Sequence, residues 1–366
     1  LLAKTLAERG FKVLAVDADP DANLGQALGF PDYKSLVPVS DMKDLIDDVF
    51  VSAFDNAALA PLEDQARFDL SDLARYGDRL AFTTDSFVVH PLFFPGGDIG
   101  KLAVCGTVND LAVGGALPLY LSCAAIVEEG VEVDLLRHIA TSMAATAREA
   151  GVEIVTGDTK VVQKGACDKV FLTTTGIGVI RADVTLGADR ARPGDVVIVN
   201  GVLGDHGAAI LGARGDMALD SPIESDCAPL NGLIDTLLVA APGTRAIRDA
   251  TRGGVATVLN EMAQASRVSI DIDERAAPLR QEVRAFCEIL GLDPLYLANE
   301  GKIVVVVPAD EADAALAVLR SHPLGRDAAL IGEVRSGEPG RVTMRTVFGG
   351  TRIVDMLVGD QLPRIC

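Results

Sequence analysis

The chain has 366 residues, 49% of them hydrophobic, and carries 33 Lys and Arg against 52 Asp and Glu, a formal net charge of -19. That charge repels phosphate backbones and anionic lipid at long range, which argues against nucleic-acid or membrane-surface binding as the main task. The apolar runs, such as Ile303 to Val307, are broken well before bilayer-spanning length, and the length points to two domains rather than one core.

Residues 1 to about 40 open within an amphipathic helix, "LLAKTLAERG", pass through a buried strand Val13 to Val16, and end in a carboxylate-rich turn at Pro20, with Pro31 and Pro38 bracketing a loop. Leu1 is not an initiator methionine, and charge comes too early for a signal peptide. From Met42 the pattern changes to a helix "MKDLIDDVFVSAF" and a strand "RLAFTTDSFVV". Next comes "GGDIGKLAVCGTVNDLAVGGALPLY", whose closely spaced small residues suit a helix pressed on a sheet. Strand "LYLSCAAIV", helix "VDLLRHIATSMAATAREAG" and strands around "VEIVTGDTKVV" and "VFLTTTGIGVI" complete a first α/β or α+β unit. Pro193 and Gly194 turn the chain into a second unit. It runs through helix "LNGLIDTLLVA", the turn "RDATRGG" opening helix "VATVLNEMAQAS", strand "VSIDID", helix "PLRQEVRAFCEILG", strand "GKIVVVVPA", helix "EADAALAVLRSH" and "AALIGEVRSG".

Cysteines at 105, 123, 167, 227, 287 and 366 form no CxxC and no close pair, which suggests neither a zinc site nor a disulfide framework and points to the reducing cytoplasm. The first five read as small buried hydrophobes. Cys366, the last residue, follows a stiffening Pro363 and a cationic Arg364 and has no such role.

Asp85 sits near the end of a β-rich run, Asp110 follows Asn109 in the small-residue helix, and Asp158 lies in the turn "TGDTK". Hard oxygens of this kind suit magnesium bridging to nucleotide phosphates; singly, each reads as a turn former or cap. Lys101 and Lys160 are either point charges for phosphate oxygens or solvated lysines. In "RDATRGG", with Asp249, the paired glycines either let the backbone approach an anion or mark a plain helix entry. Glu300 in "NEGK" stands just before a fully apolar strand, where it is a raised-pKa general base or part of a capped turn. His206, in the turn "GDHG", is the histidine best placed for activity, against a structural role.

"FTTDSFVVHPLFFPGGDIGKLAVCGTVNDLAVGGALP", "VTGDTKVV", "RDATRGG", "NEGK" and the terminal "PRIC" together resemble the HypE family of nickel-iron hydrogenase maturation proteins, over about Met42 to Cys366. The resemblance implies a two-domain PurM-like (AIR synthetase-like) α/β fold. Its expected parts are an ATP-binding and dimerisation domain at 41–185, a second domain at 190–345 and a flexible tail at 346–366. It implies a cytoplasmic homodimer whose Cys366 accepts a carbamoyl group from a HypF-like carbamoyltransferase, dehydrates it with ATP and Mg2+ to a thiocyanate, and passes cyanide to a HypC–HypD complex. Asp85, Asp110 and Asp158 become the expected magnesium ligands, with Lys101, Asn109 and Asp249 also at the nucleotide. Glu300 becomes the base and Lys160 the charge stabiliser at Cys366. Selenophosphate synthetase and thiamine-phosphate kinase share the aspartate framework but give no reason for a terminal Cys; a catalytically impaired carrier or scaffold is the other alternative. Residues 1–40 resemble a truncated MinD/ParA/CooC-type P-loop ATPase fragment without its phosphate loop. "SLVPVSD" stands where the HypE family carries a glycine-rich segment expected to close over the nucleotide.

Overall fold

The computed structural model describes residues 49–54, 56, 59, 65–214, 223–357 and 364–366; the ATPase-like fragment, "SLVPVSD" and Pro363 lie outside these residues. Residues 49–54 are helical, with Val49 and Phe50 buried in the first core. Then come α1 (Leu70–Ala74), β1 (Arg79–Phe87), the short hairpin β2 (Phe93–Phe94) and β3 (Gly97–Asp98), α2 (Ile99–Val113), β4 (Ala116–Glu128), α3 (Val133–Ala150), β5 (Glu153–Val162) and β6 (Val170–Ile180). Four of these strands make a sheet in the order β1-β6-β4-β5. Only β4 and β5 run parallel, because α3 carries the chain back between them.

One face of this sheet is covered by α2 and α3. Thirteen of the fifteen residues of α2 are buried, so it is a core helix on all sides; the two that reach the surface are Lys101 and Asp110. Asp98 caps it, its Oδ1 accepting from the Gly100 and Lys101 amides at 2.7 and 3.1 Å. Small residues let it lie close: a Cβ on Gly106 would stand 2.8 Å from the Phe87 ring and 3.8 Å from Asp85 Oδ2. Side chains of alternate residues point away from α2 and form an open face with Leu80 60% and Phe82 71% exposed.

The second sheet follows from β7 (Val196–Val199), α4 (Asp205–Ala213), α5 (Asn231–Ala240), β8 (Ala246–Asp249), α6 (Gly254–Ser266), β9 (Ser269–Asp273), α7 (Gln281–Leu290), β10 (Ile303–Val307), α8 (Ala312–Ser321), β11 (Ala329–Arg335), β12 (Val342–Arg345) and β13 (Thr351–Ile353). Its order is β13-β12-β9-β11-β7-β10-β8. All five residues of β10 are buried because both faces of this sheet are covered. Val304 and Val306 enter the core with α6, while Ile303, Val305 and Val307 enter the one with α5 and α8. No helix among the described residues is long and apolar enough to cross a membrane.

Three local expectations change. Asp158 is not in a turn but within β5: β-branched Val155, Thr156, Thr159 and Val161 carry the strand through, and Gly157 serves close pairing, since a Cβ there would meet Cys123 O at 2.3 Å. His206 lies in the first turn of α4, entered through Gly204 in the left-handed region at φ 84°. The segment expected to be tail from residue 346 contributes β13 to the sheet edge, and Val354 is fully buried.

Replacing Gly106 by Val should lift α2 from Phe87 and Asp85 and lower stability by about 1–3 kcal/mol, the usual cost of overpacking. A fall in the urea midpoint at unchanged slope checks this.

Candidate active site

The cleft between the two sheets gathers carboxylates from three elements. Asp85 lies near the end of β1, Asp110 on α2 and Asp249 at the end of β8. Ser86 N donates to Asp85 Oδ1 at 2.8 Å and Thr83 Oγ1 donates to Asp110 Oδ2 at 3.0 Å. Burial raises all three pKa values against these hydrogen bonds. The charge of Asp85 pushes Asp110 up further, and Asp110 and Asp85 add to burial in bringing Asp249 to about 6. Among the described residues no three such side chains already form a closed metal cage. The donor set nevertheless fits a divalent cation such as magnesium, which takes one or two carboxylates and completes its shell with phosphate and water. Beside Asp110 and Asp249, with Arg248, Gly114 and Gly187 also in its wall, is a cavity of about 330 Å³.

Glu300 is held by a turn whose neighbours are all committed elsewhere. Asn299 accepts from Gly204 N at 2.7 Å and donates to Ala250 O and Leu297 O. Glu300 N donates to Asp226 Oδ1 at 3.0 Å, and Lys302 Nζ pairs with Asp226 Oδ2 at 2.9 Å. Gly301 passes so close to the 226 carbonyl that a Cβ would stand 1.9 Å from it. From the first unit, Asn109 donates to Ala228 O at 3.1 Å and Glu300 O at 3.4 Å and accepts from Leu230 N at 2.7 Å. The Glu300 side chain, 4% exposed, therefore lacks the nearby lysine. Its burial, followed by the charges of Cys227, Asp249, Asp226 and Asp85, holds its pKa well above the ordinary carboxyl value. Asp226 shows the contrast: burial works against its charge, but Lys302 and the Glu300 amide prevail and lower its pKa.

The last three residues dock into this cleft. Val88 N donates to Cys366 O at 3.1 Å and His90 N to Arg364 O at 3.2 Å, while Arg364 Nε returns a bond to Val88 O at 3.0 Å. Arg214 Nη2 also donates to Arg364 O, and the Arg364 guanidinium pairs with Asp168 at 2.8 Å. Ile365 is buried in the first core, and its carbonyl lies 2.9 Å from His206 Nε2. Burial pushes the Cys366 thiol up to about 12, aided by the charge of Glu300 and opposed by the charge and hydrogen bond of Arg252; Asp85 adds a further upward push.

Of the sequence-derived candidates, Asp85, Asp110, Asp249, Glu300 and Cys366 share one neighbourhood, the charge of Asp85 reaching each of the other four. Asn109 is there too, with its amide spent on the backbone of the second unit. Lys101 Nζ donates to Gly96 O at 3.0 Å. Asp158 and Lys160, paired with each other, lie on β5 at the far edge of the sheet from β1 and point to the open face, opposite α2 and the docked thiol. Arg252, Asp226, Asp168, Arg214 and the docking role of His206 were missed. Arg252 was visible within "RDATRGG"; the others depend on contacts across more than 70 positions.

The two α/β units and the carboxylate cleft between them define an AIR synthase related protein: the N-terminal family profile matches residues 56–180 and the C-terminal one residues 192–345. The chain is 63% identical to the carbamoyl dehydratase HypE of Rhodobacter capsulatus over 325 residues, 89% of this chain and 95% of that one. A crystal structure of hydrogenase maturation protein HypE in complex with ATP is 50% identical with a TM-score of 0.84, covering 92% of this chain and 99% of that one. A HypE–HypF complex structure is 50% identical with a TM-score of 0.74, covering 86% and 99%. The chain belongs to the HypE family, the carbamoyl dehydratases of hydrogenase maturation.

With a folded pKa near 6 against about 3.9 unfolded, Asp249 favours folding fully below about pH 4, and that contribution is lost as pH rises through 6. Asp249→Asn should therefore leave stability unchanged at pH 4 and raise it by roughly 2 kcal/mol at pH 8. Urea unfolding in a chelating buffer checks both ends.

Proposed function

We propose that the chain carries a carbamoyl group on Cys366 and dehydrates it with ATP to a thiocyanate, the source of cyanide for the active-site iron of a nickel-iron hydrogenase. The observation that carries this reading is the Cys366 thiol docked within the field of Glu300, a buried carboxyl of raised proton affinity. An amide oxygen is a poor leaving group. ATP transfers its terminal phosphoryl group to that oxygen; the C–O bond then breaks, phosphate departs with the oxygen, and the nitrogen gives up its protons as the nitrile forms. Glu300, in its carboxylate form, is the base: burial makes it stronger than an exposed glutamate. Arg252 is the cation that acts on the sulfur within one chain.

ATP is read into the cleft from the carboxylate set, from the cavity beside Asp110 and Asp249, and from the ATP complex of the relative. Mg2+ would be held by Asp85 and Asp110 and would offset phosphate charge. Asp158 and Lys160 join this site only through a second copy. We read the homodimer accordingly, with the open face and its exposed Leu80 and Phe82 as the contact. We divide the chain between 185 and 190, with the second unit carried past 345 to β13, and the described thiols, all free, fit the cytoplasm.

A docked thiol with a pKa near 12 is a poor nucleophile at neutral pH, so Cys366 accepts its carbamoyl group while undocked. A HypF-like carbamoyltransferase is the donor, supported by the HypE–HypF complex of the relative, and a HypC–HypD complex is the acceptor of cyanide. The sequence "SLVPVSD" favours a second reading, a carrier that holds the carbamoyl group without turning it over.

Mass spectrometry of the Cys366 peptide after incubation with the carbamoyltransferase, carbamoyl phosphate, ATP and Mg2+ separates the two. Loss of water from the adduct supports the dehydratase, and an adduct that persists supports the carrier. Glu300→Gln should keep the adduct and slow its dehydration by about 10²–10⁴-fold. Cys366→Ala should take up no carbamoyl group while its unfolding curve is unchanged; equal labelling of that variant would place the acceptor elsewhere.

A further inference from the structure

His206 is completely buried, each of its ring nitrogens has a hydrogen-bond partner, and the partner of Nε2 is of fixed polarity. The Ile365 carbonyl, 2.9 Å from Nε2, can only accept, so Nε2 carries the hydrogen. Nδ1 is then the acceptor, 2.8 Å from Ser225 Oγ, and Ser225 in turn accepts from Cys227 N at 3.1 Å. The edge of Phe94 closes a further side of the ring, with centroids 5.6 Å apart at 87°. Burial holds the imidazole below its ordinary proton affinity, so the ring is neutral, and this chain of bonds then fixes its tautomer and aims its single N–H at the backbone of the docked tail. When the tail leaves, that N–H loses its acceptor. Glu300 Oε1 is 4.0 Å from the same nitrogen, too far for a hydrogen bond in the docked state and within reach of a small rotation.

We infer that His206 is a positioning residue for the tail: its Nε2–H holds the Ile365 carbonyl while Cys366 is beside Glu300, and turns to the Glu300 carboxylate when the tail withdraws. The two acceptors compete for one hydrogen. Docking thus frees Glu300 from a hydrogen bond that would stabilise its charge and weaken it as a base, so the base is released when its substrate arrives. The catalytic consequence rests on the proposed roles of Cys366 and Glu300; the docking role does not.

The test compares full-length wild type, His206→Asn and His206→Gln. Asn keeps an acceptor at the Nδ1 position without a donor that reaches Ile365, whereas Gln places an amide N–H near the Nε2 position. N-ethylmaleimide labelling of Cys366, followed peptide by peptide, reports how often the thiol is undocked. Loss of one hydrogen bond should speed labelling of the Asn variant roughly tenfold, with the Gln variant within about twofold of wild type. Single-turnover dehydration of the carbamoylated protein should fall in the Asn variant and recover in the Gln variant. Equal labelling of all three proteins, or equally fast labelling of both variants, overturns the inference. If the labelling pattern holds while wild type never dehydrates its adduct, the proposed chemistry fails and the docking role stands. Should the variants not fold, ¹⁵N-histidine spectra of wild type decide: an Nε2–H tautomer with bare Nδ1 is expected, and the opposite tautomer overturns the assignment.

Discussion

The structure turns on a buried carboxyl group that has no cation of its own. Placing an acidic side chain next to an all-apolar strand is costly, and proteins usually offset the cost with a lysine or arginine. A lysine stands two positions after Glu300, yet it is bound to Asp226. Because Asp226 also takes the Glu300 amide, the ion pair fixes the backbone of the turn and leaves the side chain uncompensated. Glu300 then has the high proton affinity that a base for amide N–H protons requires.

That arrangement needs the two units to be fixed against each other, and α2 does this. The helix is buried on nearly every side, by its own sheet and α3 and by α5 and β8 of the second unit. Asn109 then projects into the backbone around Ala228, Leu230 and Glu300 and satisfies three groups there. One residue later Asp110 faces the cleft. A single turn of a core helix therefore anchors the Glu300 loop and presents a carboxylate to the cleft, which is why the small-residue pattern of α2 matters to the site as well as to packing.

Much of this was legible in the sequence. Close Gly and Ala spacing identified α2, the run Ile303 to Val307 identified a fully apolar strand, and "NEGK" marked an expensive carboxylate. Periodicity could not say where Asp158 points. Gly157 imitates a turn residue, whereas here it serves close pairing with β4, and one step of register sends Asp158 and Lys160 to the opposite face from Thr174 and Cys123. The family resemblance implied a nucleotide contact for Asn109, and only the fold reveals that its donors and acceptor are used between units. Asp226 and Asp168 carried no local signal: each acquires its role from a partner that the chain supplies 76 or 196 positions later.

The docked tail is a compromise between hold and release. Its contacts are backbone hydrogen bonds to Val88 and His90, bonds from Arg214 to the Arg364 carbonyl and from His206 to the Ile365 carbonyl, one buried isoleucine, and an Arg364–Asp168 pair with more than a third of each side chain exposed. Such a pair contributes little in water, typically under about 1 kcal/mol. Arg364 also adopts the left-handed region at φ 55°, an unfavourable place for a residue with a Cβ. A rigidly stored terminus would use neither. What the cleft does supply firmly is an environment that suppresses the thiolate, so the docked sulfur stays protonated when empty and is shielded from oxidants and electrophiles. Loading and chemistry then fall naturally in different places. A nucleophile is needed where the carbamoyl group is taken up, outside the cleft, and a base is needed where protons are removed, inside it. A carrier that samples both positions can meet the two demands with one sulfur and one carboxylate, whereas a fixed cysteine beside a high-pKa glutamate would meet only the second.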